Sequence, residues 1–338
     1  MKVSDFNYDL PKELIAQRPL KKRDAARMMV LDRRTRRITE KVFRDITEYL
    51  SPGDCLVLND TRVVPVRLYG RRKTGARVEL FLLDFRPELP NATALVRPSK
   101  RIKHGEEIRM EGGRTAVVLG SAEAGRLVRF DGPVSEVLRQ GHVPLPPYIT
   151  RRDDAGDRDD YQTVYARRDG ATAAPTAGLH FTHEVFGEIE KKKVTIVHVT
   201  LHTGYGSFAP VAAKNVEDHV MHTERFEISK AAADRINRAK ASGGKIFAAG
   251  TTTTRVLEAS AAESGKVVAS SGETGLFIYP GYHFKVVDSI MTNFHLPSST
   301  LLMLVAAFAG RDFVLEAYKR AVEDRFRFFS YGDAMLVL

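Results

Sequence analysis

Six of the chain's ten histidines lie between His180 and His222, interleaved with threonine, glycine and alanine. The three segments read Ala-Pro-Thr-Ala-Gly-Leu-His-Phe-Thr (174–182), Thr-Leu-His-Thr-Gly-Tyr-Gly-Ser-Phe (200–208) and Asp-His-Val-Met-His-Thr-Glu (218–224). Imidazole is the side chain that gives and takes protons near neutral pH. Small residues let backbone and ligand approach closely. Thr176, Gly178, Gly204 and Gly206 are therefore substrate-binding candidates, and His202, beside the turn after a predicted strand, is the foremost catalytic one. Its plainer alternative is a histidine satisfied by backbone at a strand end.

A second group is Ala249-Gly-Thr-Thr-Thr-Thr-Arg-Val-Leu-Glu258, where a buried strand turns at Gly250 and opens a helix. Free N–H groups of a first helical turn, with the hydroxyls of Thr251, Thr252, Thr253 and Thr254, make a seat for an anion or a ribose. Arg255 and Glu258 are three apart, which is also the spacing of a pair along one helix face. The segment 199–208 follows a strand like a glycine-rich nucleotide loop, but its third glycine is missing. His219 with His222, and His198 with His202, have ligand-like spacings, yet no His-Glu-x-x-His motif or cysteine pair supports zinc, and no metal is expected. Tyr279-Pro-Gly-Tyr-His-Phe284, Thr292-Asn-Phe-His295 and Ser330-Tyr-Gly-Asp333 combine base-stacking aromatics with polar groups that read a base edge. Core packing is the alternative there.

These groups need a scaffold. From Thr182 onward helical and strand patterns alternate: helices over 182–192, 229–241, 252–262, 298–309 and 313–326, strands over 194–201, 245–249, 276–279 and 334–338. That alternation predicts an α/β domain around a mixed sheet. Between 66 and 131 the texture changes to short alternating segments broken by Gly, Pro, Asn and Asp, as in a small antiparallel barrel. The expected architecture is an α/β catalytic domain of residues 1–63 and 151–338, with a β-barrel-like domain inserted at 64–150. The basic stretch 150–169 reads as an exposed connection.

The chain has 338 residues, 43% of them hydrophobic, and no apolar run long enough to cross a membrane. Its single cysteine, Cys55, sits in the apolar run Cys-Leu-Val-Leu and reads as a buried thiol. No signal segment is seen, so a cytoplasmic protein is expected. The net charge of +10 gathers at 18–37, 71–73, 97–109 and 151–168 and favours a polyanionic partner.

Taken together, the motifs resemble the S-adenosylmethionine:tRNA ribosyltransferase-isomerases of queuosine biosynthesis. The likeness runs nearly end to end. It includes Val3-Ser-Asp-Phe, Leu14-Ile-Ala-Gln17, Asn59-Asp-Thr-Arg-Val63, Pro144-Leu-Pro-Pro-Tyr148, Tyr161-Gln-Thr-Val-Tyr165, 174–182, 200–208, 250–258, Phe277-Ile-Tyr-Pro-Gly-Tyr282, 292–303 and Phe328-Phe-Ser-Tyr-Gly-Asp-Ala-Met335. The resemblance implies an α/β domain with a small β-barrel. It also implies transfer and isomerisation of the ribosyl part of S-adenosylmethionine onto 7-aminomethyl-7-deazaguanine in tRNA, giving epoxyqueuosine, adenine and methionine.

That chemistry needs a base for a C5′ proton and a donor for departing adenine. His202 and His180 are the candidates, with His219 and His222 behind them. Thr251, Thr252, Thr253 and Arg255 would hold the ribose or the methionine carboxylate, with Gly250 and Glu258 beside them. Asn59, Asp60, Thr61 and Arg62 would close the site, Asp60 binding the cationic amine. Tyr279, Tyr282 and Phe284 would stack a base, with Asn293, His295 and Asp333 on its edges. S-adenosylmethionine is then a co-substrate and no further cofactor is expected. The partner is a tRNA with a GUN-type anticodon, with no membrane and no obligate protein partner, and a monomer is the default. An RNA methyltransferase and a non-catalytic tRNA-binding protein are the rival readings.

Overall fold

The computed structural model describes residues 1–204, 206 and 211–338. In chain order the strands are β1 (Arg27–Asp32), β2 (Arg37–Val42), β3 (Cys55–Asn59), β4 (Thr61–Val63), β5 (Arg67–Arg72), β6 (Arg77–Phe85), β7 (Asn91–Arg97), β8 (Glu107–Met110), β9 (Thr115–Ala122), β10 (Gly125–Phe130), β11 (Arg168–Ala171), β12 (Thr195–Leu201), β13 (Glu224–Ile228), β14 (Ile246–Ala249), β15 (Ser270–Thr274), β16 (Ser289–Asn293) and β17 (Ala334–Val337). The α-helices are α1 (Val134–Leu138), α2 (Asp157–Asp160), α3 (His183–Lys191), α4 (Lys230–Ala241), α5 (Thr251–Ala259), α6 (Thr300–Ala309) and α7 (Arg311–Glu323). Two compact units result. One holds Met1–Arg62, Pro147–Arg151 and Gln162–Leu338; the other holds Val63–Pro146 and Arg152–Tyr161. Residues 152–161 thus group with the β-rich unit, whereas the sequence placed everything after 150 with the α/β unit.

The larger unit is built on a nine-stranded mixed sheet in the order β15-β13-β12-β3-β14-β16-β17-β1-β2. β3, β14, β16 and β17 are buried at every position, as expected of strands covered on both faces. Their side chains alternate between two cores. Cys55, Val57, Ile246, Ala248, Ile290, Met335 and Val337 join residues of α4, α5, α6 and α7 on one face. Leu56, Leu58, Phe247, Ala249, Met291, Ala334 and Leu336 join Phe43, Ile46 and residues of α3 on the other. Burial pushes the Cys55 thiol up to about 12.

Helix starts follow the capping chemistry of the sequence. The hydroxyls of Thr182, Ser229 and Ser299 accept from Val185, Ala232 and Leu302 N–H. Ile246–Ala249 follows α4 after a turn at Gly243, whose φ is 81°.

The smaller unit contains a closed antiparallel barrel, β10-β7-β6-β5-β8-β9. Alternating Val78, Leu80, Leu82, Ala92, Ala94, Val96, Val118 and Val128 fill it. Closure leaves no open edge for another chain to pair with. Gly70 is required where strands pack tightly, because a Cβ there would lie 2.7 Å from Ile108 Cγ2 and 2.8 Å from the Arg109 carbonyl.

Two expectations are corrected. Leu276–Tyr279 is not a strand; the strand is β15, just before it, whose three central residues are exposed. An edge strand with polar Ser-Ser-Gly-Glu-Thr has no hydrophobic alternation to reveal it. The stretch 150–169 is not simply exposed: Asp157 and Tyr161 are fully buried.

Candidate active site

β3 is parallel to β12 on one side and to β14 on the other, and β14 is parallel to β16. The chain goes from β3 to β12 and later returns to β14, so its direction of travel across the sheet reverses at β3. Open α/β sheets bind ligands at the carboxyl ends of strands beside such a reversal. Those ends present Asn59, His202, Gly250 and Asn293.

Asn59 clips them together. It is fully buried, and its Nδ2 donates to Leu201 O at 3.0 Å and Thr252 Oγ1 at 3.2 Å. Its Oδ1 accepts from Leu201 N at 3.0 Å and Thr61 N at 3.2 Å. One amide therefore joins the ends of β3, β12 and the first turn of α5. Asp60, next along, accepts from Thr200 Oγ1 at 2.7 Å and from the Arg167 guanidinium at 3.0 Å. Its carboxylate is already partnered on both oxygens, so it positions β12 and Arg167 rather than waiting open for an amine. Arg62 is half exposed and donates to Ala166 O at 2.8 Å.

His202 has a different environment from the other histidines. Its backbone N–H donates to Arg225 O at 2.9 Å, and its Nδ1 lies 2.8 Å from Thr61 Oγ1. The ring packs on Gly170, where a Cβ would come within 2.7 Å of Nδ1. Nε2 has no partner among the described residues. Burial lowers the pKa of the ring, the Asp60 carboxylate opposes that, and Arg225 and Arg168 reinforce it. His202 is neutral at pH 7 and lines a cavity of about 620 Å³ with Arg167, Arg168, Thr200, Arg225 and Glu227. A neutral imidazole with one open nitrogen in a cavity is the arrangement a general base requires.

His180 is held instead. Its Nε2 accepts from Asn293 Nδ2 at 3.1 Å, its ring lies 5.0 Å from Phe43, and the Arg23 backbone also bonds to it. Burial brings its pKa down to about 4, so at neutral pH it is the neutral ring, its one N–H committed to the Arg23 backbone, and not the imidazolium a general acid would need. The expectation of His180 as the acid does not fit this geometry. Asn293 Oδ1, by contrast, is buried without a partner among the described residues, as is Thr203 Oγ1. Buried polar atoms without a partner are uncommon, and at strand ends they suit a ligand's hydrogen bonds. Asp333 accepts from Arg27 N at 3.0 Å and Arg327 N at 2.8 Å, and His295 contacts Thr292 Oγ1 at 3.1 Å and Tyr318 Oη at 3.4 Å. Both are buried and tied to the fold, with the His295 pKa brought down to about 3 by burial. Neither is free to read a base.

Helix α5 divides its own residues. Gly250, with φ 97°, makes the turn that only glycine enters without strain. Thr253 and Thr254 hydroxyls donate back to the Ala249 and Gly250 carbonyls at 2.7 and 3.1 Å. That leaves Thr251, and the hydroxyl proton of Thr252 whose oxygen already accepts from Asn59, for a ligand. Arg255 does not pair with Glu258. It is buried against Glu224 and donates to Leu276 O at 3.0 Å. Glu258 accepts from the backbone N–H of Lys285, Val286 and Val287 at 2.8 to 3.0 Å and from the Tyr282 hydroxyl at 3.3 Å. Arg255 and Glu258 are structural.

The remaining candidates scatter. His219 is partly buried, 5.2 Å from the Phe277 ring, while His222 is exposed and its ring occupies the space a Cβ on Gly206 would need. Tyr279 lies beside Phe277 at 5.0 Å, and Tyr282 packs edge-on against Phe284 at 5.2 Å. Thr176 opens a 3-10 turn through His180, in which Gly178 gives way to the Tyr165 hydroxyl, 2.0 Å from where its Cβ would be. Among the described residues nothing lies within 4 Å of a Cβ on Gly204. Tyr205, Ser207 and Phe208 of the same loop lie outside the described residues. Among the described residues no group of three His, Cys, Asp or Glu side chains forms a metal-binding set, and no helix is long and apolar enough to cross a membrane. Thr200 and Arg167 line the same cavity as His202, although neither was among the expected site residues. Thr200 alone had a signal, two residues before His202 on the same strand face.

Residues 3–337 match the family model described as queuosine biosynthesis protein. The chain is 52% identical to the S-adenosylmethionine:tRNA ribosyltransferase-isomerase of Clostridioides difficile and 53% identical to that of Acetivibrio thermocellus, each over the full length of both chains. The crystal structure of the S-adenosylmethionine tRNA ribosyltransferase of Thermotoga maritima is 41% identical and matches with a TM-score of 0.58, covering 99% of this chain and 100% of that one.

Proposed function

Since the chain belongs to the queuosine biosynthesis protein family, we propose that it moves the ribosyl part of S-adenosylmethionine onto 7-aminomethyl-7-deazaguanine in tRNA and isomerises it, releasing adenine and methionine. The sulfonium acidifies the hydrogens on C5′. A base removes one of them, adenine leaves, the substrate's amine adds, and closure of the epoxide expels methionine. The single observation that carries the assignment of roles is the half-buried His202, with Nε2 open among the described residues, in the cavity it lines with Thr200, Arg167–Asp169 and residues of β13 and β15. His202 takes the C5′ proton, and the nearby Asp60 carboxylate favours its protonated form. Thr251, Thr252, Asn293 and Thr203 supply hydrogen bonds to ribose or base, and the Asn59 clip holds the two walls of the site at fixed separation. Arg167 and Arg168 suit a phosphate or carboxylate at the cavity rim.

The tRNA is one with a GUN-type anticodon, S-adenosylmethionine is consumed rather than retained, and a cytoplasmic monomer suffices. Incubating the protein with S-adenosylmethionine and tRNA carrying the deazaguanine, followed by chromatography, tests this. Free adenine and methionine in equal amounts are expected. S-adenosylhomocysteine would indicate a methyltransferase, and salt-sensitive binding without consumption would indicate a tRNA-binding protein.

A further inference from the structure

We propose that Thr61 is a positioning residue that holds His202 in the tautomer protonated on Nδ1, so that the Nε2 lone pair faces the reaction; the catalytic half of this rests on His202 being the base. A hydroxyl has one proton to donate. Thr61 Oγ1 lies 2.8 Å from His202 Nδ1 and 3.5 Å from the Arg168 carbonyl oxygen. A carbonyl only accepts, whereas Nδ1 donates or accepts according to tautomer. If Thr61 donates to Arg168 O, its lone pairs remain for an Nδ1–H donor, and all three groups are used. If it donates to Nδ1, the carbonyl loses this donor and the ring's proton moves to Nε2, which then has nothing to abstract a proton with.

Both partners are fixed before any ligand arrives. The Thr61 backbone N–H is held by Asn59 Oδ1, and the Arg168 N–H is held by the Asp60 carbonyl at 3.2 Å. His202 is held through its own N–H by Arg225 O and through its ring by the Gly170 backbone. The three consecutive residues thus have separate tasks. Asn59 clips the strand ends, Asp60 fixes Thr200 and Arg167, and Thr61 sets the imidazole. The ring nitrogen that does chemistry is commonly chosen by the hydrogen bond at the other one.

The test reads the tautomer directly. In protein labelled with ¹⁵N-histidine, long-range proton–nitrogen spectra distinguish the two neutral forms, and the His202→Gln variant identifies the His202 signals. The unsubstituted protein is expected to show His202 protonated on Nδ1. Thr61→Val is expected to shift it toward the Nε2–H form and lower kcat about 10–100-fold with little change in KM for S-adenosylmethionine. Thr61→Ser is expected to restore both. His202 found as the Nε2–H form in the unsubstituted protein overturns the proposal whether or not Thr61→Val folds. So does an unchanged tautomer in Thr61→Val. If the tautomer shifts while kcat stays at the unsubstituted level, the tautomer assignment stands and the base assignment fails.

Discussion

A histidine's two ring nitrogens separate structural from catalytic ones at the scale of single residues. His295 and His180 use both nitrogens inside the fold, and burial lowers their pKa values to about 3 and about 4. The unfolded chain would titrate these rings near their ordinary value of 6.5. Between those limits the folded state binds fewer protons than the unfolded one, so acidification favours unfolding. Each histidine removes up to about 1.4 kcal/mol of stability per pH unit below 6.5. The unfolding free energy of the native protein should therefore fall between pH 6.5 and 4, and His295→Gln should show a shallower slope. Equal slopes in denaturant titrations would contradict the buried, neutral state of His295. The sequence favoured His202 but did not separate His180 from it as a second candidate, because the distinguishing partners are remote. Thr61 is 141 residues from His202, and Asn293 is 113 from His180. Residue type and local context singled out His202 and Asn59–Thr61; which imidazole was already committed to the core was not legible.

At the scale of elements, α5 shows how a helix can be read correctly and its side chains misassigned. Strand, glycine and threonine cap located the turn, and the carboxyl ends of β3, β12 and β14 do converge there. Arg255, however, is committed to Glu224, and both side chains are about 95% buried. Local spacing can only suggest partners three or four residues away, whereas Glu224 is 31 residues distant on β13. Removing one member of a buried ion pair leaves the other without compensation, at a cost of about 3–5 kcal/mol. Arg255→Ala should lose that much in thermal or denaturant unfolding, and Arg255→Met with Glu224→Leu should regain most of it. A variant Arg255→Ala that keeps its stability and shows only a raised KM for S-adenosylmethionine would instead return Arg255 to the ligand.

At the scale of the whole molecule, the net charge of +10 overstates the surface available to a polyanion. Arg33 donates to the carbonyls of Leu338, Phe308 and Asp288 and lies 3.8 Å over the Phe308 ring. Arg27 pairs with Glu40 and covers Phe326 at 3.7 Å. These cations hold the fold. Lys100, Arg101 and Lys103 are exposed and make no ion pair among the described residues. In salt titrations of tRNA binding, a cation that meets a phosphate lowers the slope by about one when neutralised. Lys100→Gln or Arg101→Gln should do so, while Arg27→Gln should leave the slope unchanged. The reverse ranking would place the RNA elsewhere. The α/β unit and the barrel were legible because binary patterning survives in both. The edge strand β15 and the buried Asp157 and Tyr161 were not, since polar composition gives no sign of pairing or burial.

The role of His202 is measured most directly by the single-turnover release of adenine by His202→Ala, with S-adenosylmethionine and tRNA carrying the deazaguanine both saturating. The predicted result is a rate lower by about 10²–10⁴ with tRNA binding and thermal stability retained. Adenine release at the unsubstituted rate would contradict the assignment of His202 as the base.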